Sequence, residues 1–306
     1  MNSATQYGTG LSEGQYRLLV PAFIEDTPED TERRLRTAAA IARERGGGLM
    51  IACIARFARQ TPLDAIPSDN PALDEARDTT AAYVETAEKT GVPAEGHIYV
   101  THRESPSVLD AVEKYDCNGV LLTVEAGHSQ RRRLLGGDTT EKVAARAECD
   151  VFVEKQATED TPIQQILLAV SSGPHSEIAA RTARAIANDV DGQVDIVHFL
   201  DQDATPAEQD DGEQIIETAK RDLFDDGQAE TSLECTEHVA EAIIDRSDEY
   251  DVTVLGSPTS GLLEQFVFGT VPDSVTQQSE NAVVMAQHDT GSTSVYDRWI
   301  AGDPIE

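Results

Sequence analysis

The sequence contains very little lysine. The 24 basic residues include only five lysines, whereas aspartate and glutamate together number 56, and the formal net charge is −32. Such a surface repels the phosphates of nucleic acid, so we expect no nucleic-acid partner. Dense carboxylates hold water and cations, and molar salt screens their repulsion within a few ångströms, so the composition is typical of a salt-loving organism. An acidic surface that binds a basic protein partner is the alternative.

Long hydrophobic runs and paired cysteine motifs are also absent. No apolar run approaches the roughly 18 residues of a membrane helix, and residues 1–15 lack the basic start and apolar centre of a signal peptide. We therefore expect a cytoplasmic protein without membrane insertion. The four cysteines form no C-x-x-C pair and lie in or beside apolar runs, which predicts buried, reduced thiols. The seven histidines show no metal-ligand spacing, so we expect no metal site.

Short apolar segments alternate with segments of helical periodicity along the whole chain. The order repeats, which predicts one domain over residues 16–155 and a second over residues 162–288, with polar tails at 1–15 and 289–306. Strands that alternate with helices pair in parallel through right-handed crossovers, so each half should be a doubly wound, Rossmann-like α/β sheet of five strands. Ligands of such sheets bind at the carboxyl ends of the strands where strand order reverses, here after strands one and four.

A glycine-bearing strand-to-helix turn follows the fourth predicted strand of each half. A register of 132 positions places Val120 on Val252 and Gly137 on Gly269, and it continues into the last apolar strand of each half. Glycine allows a backbone to approach a phosphate closely, and helix N-terminal amides favour an anion. The alternative is that these glycines only allow the turn to close.

The order of elements and the turn after strand four resemble the universal stress protein family, here as two tandem domains. The resemblance implies the adenine nucleotide alpha hydrolase-like fold, a stress-response role and binding of ATP or AMP, with magnesium only alongside the nucleotide. Members that bind ATP carry G-x-x-G, nine residues and G-S or G-T after strand four, and an aspartate at the end of strand one. The resemblance also implies an internal pseudo-dimer in which residues 151–154 and 282–286 are the meeting edges.

The second domain retains most of this signature. Gly256 matches the first glycine and Gly269-Thr270 the closing pair, whereas Thr259 replaces the second glycine and Ser171 the aspartate. Thr270 can still donate to a phosphate. The candidate nucleotide-binding residues are therefore Ser171, Ser172, Gly256, Thr259, Gly269 and Thr270.

The first domain departs further from the signature. Gly127 and Gly137 match the second and third glycines, but Val124 replaces the first and Ala22 the aspartate. Asp138 would place a carboxylate where a hydroxyl should meet the phosphate, and like charges repel. We expect this degenerate site not to bind nucleotide.

Two other groups of residues are candidates. The run Arg131-Arg132-Arg133 could hold an anion, but a solvated loop face is the simpler interpretation. Ser171, Ser172 and His175 lack the G-x-S-x-G elbow of a nucleophile, and capping of a helix by Ser176 explains this stretch better. No magnesium-binding carboxylate ends strand one in either half, so the sequence identifies no catalytic residue.

Two functional hypotheses remain. One is a stress-response protein that holds ATP or AMP in its second domain. The other is a regulatory or interaction module without nucleotide, such as an accessory to a membrane transporter, which is a setting where similar tandem domains occur.

Overall fold

The chain folds into two α/β units, each built around a mostly parallel sheet. The computed structural model describes residues 7–24, 26–124, 140, 142–144, 146–157, 161–224, 227–256 and 281–289. Most of the first unit lies within residues 7–122 and most of the second within residues 152–289; the strand at residues 150–155 crosses this division and continues the strand order of the first unit.

In the described part of the first unit, strands alternate with helices, and a 3-10 helix spans Leu63–Ala65. Its strands are β1 (Tyr7–Gly8), β2 (Arg17–Phe23), β3 (Gly48–Arg56), β4 (Ala94–Thr101), β5 (Gly119–Val124) and β6 (Asp150–Lys155), and its helices are α1 (Pro28–Glu44), α2 (Pro71–Lys89) and α3 (Glu104–Lys114). The strand order is β1-β4-β3-β2-β5-β6, with β2 parallel to both β3 and β5. The order therefore reverses between β2 and β5, as the sequence predicts.

The apolar runs of this unit form its core. All residues of β3 except the last are buried, which is typical of a parallel strand covered on both faces. Helix α1 buries Leu35 and a face of alanines, and the small alanine side chains allow close packing against the sheet.

The second unit repeats this arrangement with five strands and three helices in its described part. The strands are β7 (Gln165–Val170), β8 (Gln193–Asp201), β9 (Ala229–Thr236), β10 (Val252–Gly256) and β11 (Ala282–Gln287), and the helices are α4 (Pro174–Val190), α5 (Pro206–Leu223) and α6 (Val239–Ser247). The order is β11-β10-β7-β8-β9, and every neighbouring pair is parallel. The prediction of doubly wound α/β sheets is confirmed.

The segment before β2 is more than the polar tail that the sequence predicts. Strand β1 pairs antiparallel with β4, with Tyr7 opposite Gly96. Gly8 has φ +89, and a Cβ at this position would overlap the carbonyl oxygen of Ala94. The Leu11 N–H also donates to Glu95 Oε2 at 3.3 Å. The N-terminal segment therefore covers the outer edge of β4.

Two helix starts differ from what the sequence predicts, which is a cap at Ser105-Pro106-Ser107 for one helix and a start at Asp211 for the other. Helix α3 begins at Glu104, so Ser105 and Pro106 lie in its first turn, and Ser105 does not cap it. Helix α5 begins at Pro206 rather than near residue 211, because Thr205 and Glu208 form a capping box. The motif T-P-A-E is visible in the sequence and could have placed this start.

The prediction of four buried thiols is wrong for one cysteine. Cys53, Cys117 and Cys149 are buried, but Cys235 is exposed. Cys235 lies on β9, the last strand in the order of its sheet, where every residue except Ala229 is at least partly exposed.

Candidate functional site

The candidate site of the second unit lies where the strand order of its sheet reverses. Strand β7 pairs with β8 on one side and with β10 on the other. The next strand along the chain is β8, so the order of strands reverses between β7 and β10. Leu255 pairs with Ala169, so Gly256 and Ser171 lie at the same, carboxyl edge of the sheet. This position is where doubly wound sheets bind their ligands.

A short exposed loop connects β7 to α4 at this edge. Ser171, Ser172 and Gly173 are exposed, and the Ser171 N–H donates to Ser176 Oγ at 2.9 Å. Gly173 has φ +112, a conformation that favours glycine, and no atom lies within 4 Å of where its Cβ would stand. A hydrogen bond to Ser176 therefore fixes the start of the loop, whereas the side of the loop at Gly173 is open to solvent.

Ser176 does not cap the helix as the sequence predicts. Helix α4 begins at Pro174, its N-cap is Gly173, and no side chain caps it. The Ser176 hydroxyl accepts instead from the backbone at the start of the loop, so its role is to fix the loop conformation.

Gly256 is required by packing at the end of β10. A Cβ at this position would lie 2.7 Å from the carbonyl oxygen of His175 and 2.8 Å from its carbonyl carbon. These atoms are backbone and cannot move aside cheaply, so no larger residue fits. The sequence predicts glycine here for a phosphate, and the structure gives a packing reason for the same residue.

His175 connects the first turn of α4 to the end of β11. Its Nδ1 atom lies 3.1 Å from the backbone nitrogen of His288, which donates, so Nδ1 is the unprotonated nitrogen of a neutral ring. Burial lowers the pKa of His175 below its ordinary value, and the neighbouring His288 lowers this pKa further. His175 is therefore neutral at pH 7.

A second histidine fixes the end of β7. His198 is buried on β8, and its Nδ1 donates to the carbonyl oxygen of Val170 at 2.7 Å. Helix α5 passes over this ring at Gly212, where a Cβ would lie 2.8 Å from His198 Cδ2. The sequence signals neither contact, because both join residues that are far apart along the chain.

The structure thus brings three of the predicted residues to one edge, namely Ser171, Ser172 and Gly256. The other predicted residues of this site, Thr259, Gly269 and Thr270, lie outside the described residues. So do Gly127, Gly137, Asp138 and the run Arg131–Arg133 of the first unit.

The corresponding loop of the first unit is closed by a buried ion pair. Ala22, at the position of the family's aspartate, is buried within β2. Four residues later, Asp26 accepts from the Phe23 N–H at 2.8 Å and from both terminal nitrogens of Arg34, at 3.0 and 2.9 Å. The Asp26 and Arg34 side chains are only 3% and 6% exposed.

A tyrosine completes this cluster. The Tyr83 hydroxyl, on α2, donates to Asp26 Oδ2 at 2.7 Å. Burial raises the pKa of Tyr83 far above its ordinary value, so the hydroxyl remains a donor. These protein donors come from the strand end, from α1 and from α2, so the Asp26 carboxylate holds the three segments together. The sequence does not signal this cluster, because the family's acid is expected at the strand end, where Ala22 stands.

The described residues contain neither a metal-ligand cluster nor a helix suited to span a membrane. No group of three His, Cys, Asp or Glu side chains in this part of the chain is placed to hold a metal ion. None of the described helices combines the length and apolar character that a membrane span needs.

The fold and the position of the site define a doubly wound α/β protein with its candidate site at the switch point of the second sheet. The chain belongs to the universal stress protein family, whose family model matches residues 18–155 and again residues 162–287. The family is thus represented twice in tandem, as the sequence predicts. A search of curated protein sequences gave no match.

Several solved structures share the fold over nearly the whole chain. A universal stress protein from Archaeoglobus fulgidus is 15% identical, with a TM-score of 0.59, and the match covers 90% of this chain and 97% of that one. A putative universal stress protein from Pseudomonas aeruginosa is also 15% identical, with a TM-score of 0.54 over 90% and 94% of the two chains. The cytoplasmic domain of a prokaryotic cation chloride cotransporter is 11% identical, with a TM-score of 0.61 over 92% and 99%. At these identities the likeness concerns the fold.

Proposed function

We propose that this chain is a stress-response protein that binds one adenine nucleotide, ATP or AMP, in its second unit. The observation that carries the proposal is the difference between the two strand-one loops. The loop at Ser171–Gly173 is exposed at the switch point, whereas the loop at Asp26 is closed by a buried ion pair. Family membership and the signature at Gly256, Gly269 and Thr270 support the same assignment.

The acidic composition sets the conditions for binding. A net charge of −32 repels a nucleotide anion, because the 24 lysines and arginines are outnumbered by 56 carboxylates. Cations from the solvent must offset this repulsion. Magnesium neutralises part of the phosphate charge, and salt screens the remainder. We therefore expect binding to need magnesium and high salt.

Calorimetry with ATP and with AMP, in molar potassium chloride with magnesium, tests the proposal. We expect a dissociation constant below about 1 mM, equivalent to more than about 4 kcal/mol, and one site per chain. Gly269→Val should abolish the heat because the side chain blocks the phosphate, and Ser172→Glu should weaken binding by charge repulsion. Gly137→Val makes the same change in the first unit and should leave binding unchanged.

Two results would contradict this assignment. The absence of heat for both nucleotides with the wild-type protein would exclude it, provided that circular dichroism shows a folded chain. Loss of binding in Gly137→Val with retention in Gly269→Val would move the site to the first unit.

The second candidate function is a regulatory or interaction module without nucleotide. The fold is shared with the cytoplasmic domain of a transporter, and the closed loop at Asp26 shows that one unit keeps the fold with this loop occupied by its own side chains. Absence of nucleotide binding in the experiment above would favour this function.

A further inference from the structure

The second and third parallel strands of each unit end in the same local structure. In the first unit β3 and β4 end as a pair, with Arg56 opposite Thr101. In the second unit β8 and β9 end with Asp201 opposite Thr236. In both units the threonine hydroxyl accepts the backbone N–H of the second residue after it, at 3.0 and 3.2 Å. Arg56 and Asp201 therefore occupy equivalent positions of the repeated fold, yet their charges are opposite.

The edge of the first unit carries three arginines. We name them the basic edge: Arg56, Arg59 and Arg103. Arg56 pairs with Glu104 at 3.3 Å, and its side chain is still 44% exposed. Arg59 and Arg103 are exposed, and no carboxylate of the described residues forms an ion pair with either. The Phe57 N–H donates to the carbonyl oxygen of Thr101 at 2.8 Å, which keeps the loop of Arg59 beside the strand end that Arg103 follows.

The same edge of the second unit carries three carboxylates. We name them the acidic edge: Asp201, Asp203 and Glu237. All three residues are exposed, and neither residues 201–204 nor residues 236–239 include a lysine or arginine. Asp201 Oδ1 accepts the Asp203 N–H at 3.1 Å, so both carboxylates are held on the short loop after β8. One edge of the repeated fold is thus basic in the first unit and acidic in the second.

The basic edge stands out against the composition of the chain. Lysine and arginine number 24 against 56 carboxylates, so a cation on this protein has many acids with which to pair. Two arginines without such a partner at one place leave a local positive potential, which favours an anionic partner. Guanidinium groups bind carboxylates through short, charge-assisted hydrogen bonds.

We propose that the basic edge of one copy of this chain binds the acidic edge of a second copy. The chain itself supplies the complement, because three carboxylates lie at the edge that corresponds to the three arginines. Each copy offers one edge of each sign, so copies can close as a dimer or continue as a longer assembly. This association is independent of the proposed nucleotide binding.

The net charge sets the conditions of the test. Two copies at −32 repel each other at low salt. About 1 M potassium chloride shortens the range of this repulsion to about 3 Å, so it weakens the long-range repulsion far more than a contact between neighbouring charges. Analytical ultracentrifugation over a concentration series in this salt should show the average mass rising with concentration. A reducing agent prevents a disulfide between the exposed Cys235 side chains of two copies.

Two charge-reversed variants test which surfaces meet. Arg59→Glu with Arg103→Glu makes the basic edge acidic, and Asp203→Arg with Glu237→Arg makes the acidic edge basic. For each variant alone we expect the dissociation constant of self-association to rise at least about tenfold, because like charges now face each other. An equal mixture of the two variants should return to within about threefold of the wild type, since acidic edges then meet basic edges again.

A third variant controls for net charge. Lys89→Glu with Arg181→Glu lowers the net charge as much as the first variant does, but it alters exposed pairs on α2 and α4. It should associate as the wild type does. A wild-type protein that stays monomeric throughout the series would overturn the proposal, and so would a mixture that associates no better than its components. Association that is equal in the wild type and all variants would assign the contact to another surface, such as the outer edge of β9, and would refute the proposal as well.

Discussion

At the scale of single residues, the two units use the end of their first strand in opposite ways. In the first unit, Asp26 is buried with four protein donors, contributed by Phe23, Tyr83 and both terminal nitrogens of Arg34. A buried carboxylate is tolerated only when such donors replace its lost water. In the second unit, Ser171 and Ser172 carry no charge and stay exposed. Asp26 therefore has a structural role in the first unit, where its charge is bonded to the protein's own donors.

Removing one member of the Asp26 cluster tests this structural role. We expect Arg34→Met to lower the free energy of unfolding by about 3 kcal/mol or more, because Asp26 is left as a buried charge without its ion-pair partner. Tyr83→Phe should cost about 1.5 kcal/mol, since it removes one hydrogen bond to a charged group. Urea unfolding at fixed salt measures both.

The exposed pair of Lys89 and Glu85, at 2.8 Å on the surface of α2, supplies the matched control. Lys89→Met should leave the free energy of unfolding nearly unchanged, because water already solvates both groups. A loss in Arg34→Met no larger than in Lys89→Met would mean that the buried pair is not needed for stability.

At the scale of elements, α5 carries a glycine in its interior for a reason that lies on another element. Gly212 faces the ring of His198, whose position is set by the hydrogen bond to Val170, and the end of the Leu233 side chain. Glycine weakens a helix interior, so its presence indicates that close approach to the sheet outweighs the loss of helix propensity.

The substitution Gly212→Ala sets these two effects against each other. Alanine gains about 1 kcal/mol of helix propensity, but its methyl group would lie 2.8 Å from His198 Cδ2, and overpacking costs about 1–3 kcal/mol. We expect a net loss of about 1 kcal/mol in the free energy of unfolding, since the hydrogen-bonded ring cannot move away.

The same substitution in a His198→Ala background provides the comparison. There the ring is absent, the terminal methyl of Leu233 can rotate aside, and Gly212→Ala should stabilise the protein through helix propensity. Stabilisation of similar size in both backgrounds would show that the close approach to His198 carries no strain.

The elements also show what the sequence can and cannot predict. Apolar runs predicted central strands such as β3 and β7, because parallel strands covered on both faces need continuous apolar sequence. Strand β1 was missed because two residues carry no periodicity, and it forms only against β4. Local signatures predicted Ser171 and Gly256 as site residues, and the structure places both at one edge of the sheet. The cluster at Asp26 and the contacts of His175 depend on residues distant in sequence, which no local pattern indicates.

At the scale of the whole molecule, the net charge is −32. The buried ion pair of Asp26 and Arg34 is neutral in sum, so it contributes nothing to this excess. The excess carboxylates repel one another at low salt, and unfolding relieves this repulsion by moving the charges apart. The repulsion acts over about 10 Å at 0.1 M salt and about 3 Å at 1 M. Salt should therefore stabilise the folded state by screening.

Thermal unfolding in potassium chloride measures this effect. Between 0.1 and 1 M salt we expect the midpoint temperature to rise by about 10 °C, equivalent to a few kcal/mol for a chain of this size. Sucrose at equal osmolality is the control, because it is excluded from protein surfaces but screens no charge. An equal rise in sucrose would attribute the effect to exclusion from the surface rather than to screening.

The edges of the two sheets carry a consequence for how copies of this chain behave at high concentration. Strand β1 satisfies the outer edge of β4 with backbone hydrogen bonds, which salt does not weaken. In the part of the chain that the structure describes, no strand pairs with the outer edge of β9, which carries the exposed Glu230, whereas Glu234 on the same strand is paired with Arg246 at 2.8 Å. Carboxylates keep such an edge from joining another copy only while their repulsion reaches across the gap. Salt that stabilises the fold therefore also weakens the electrostatic barrier to self-association at β9. The edge of β4 is unaffected, because β1 covers it.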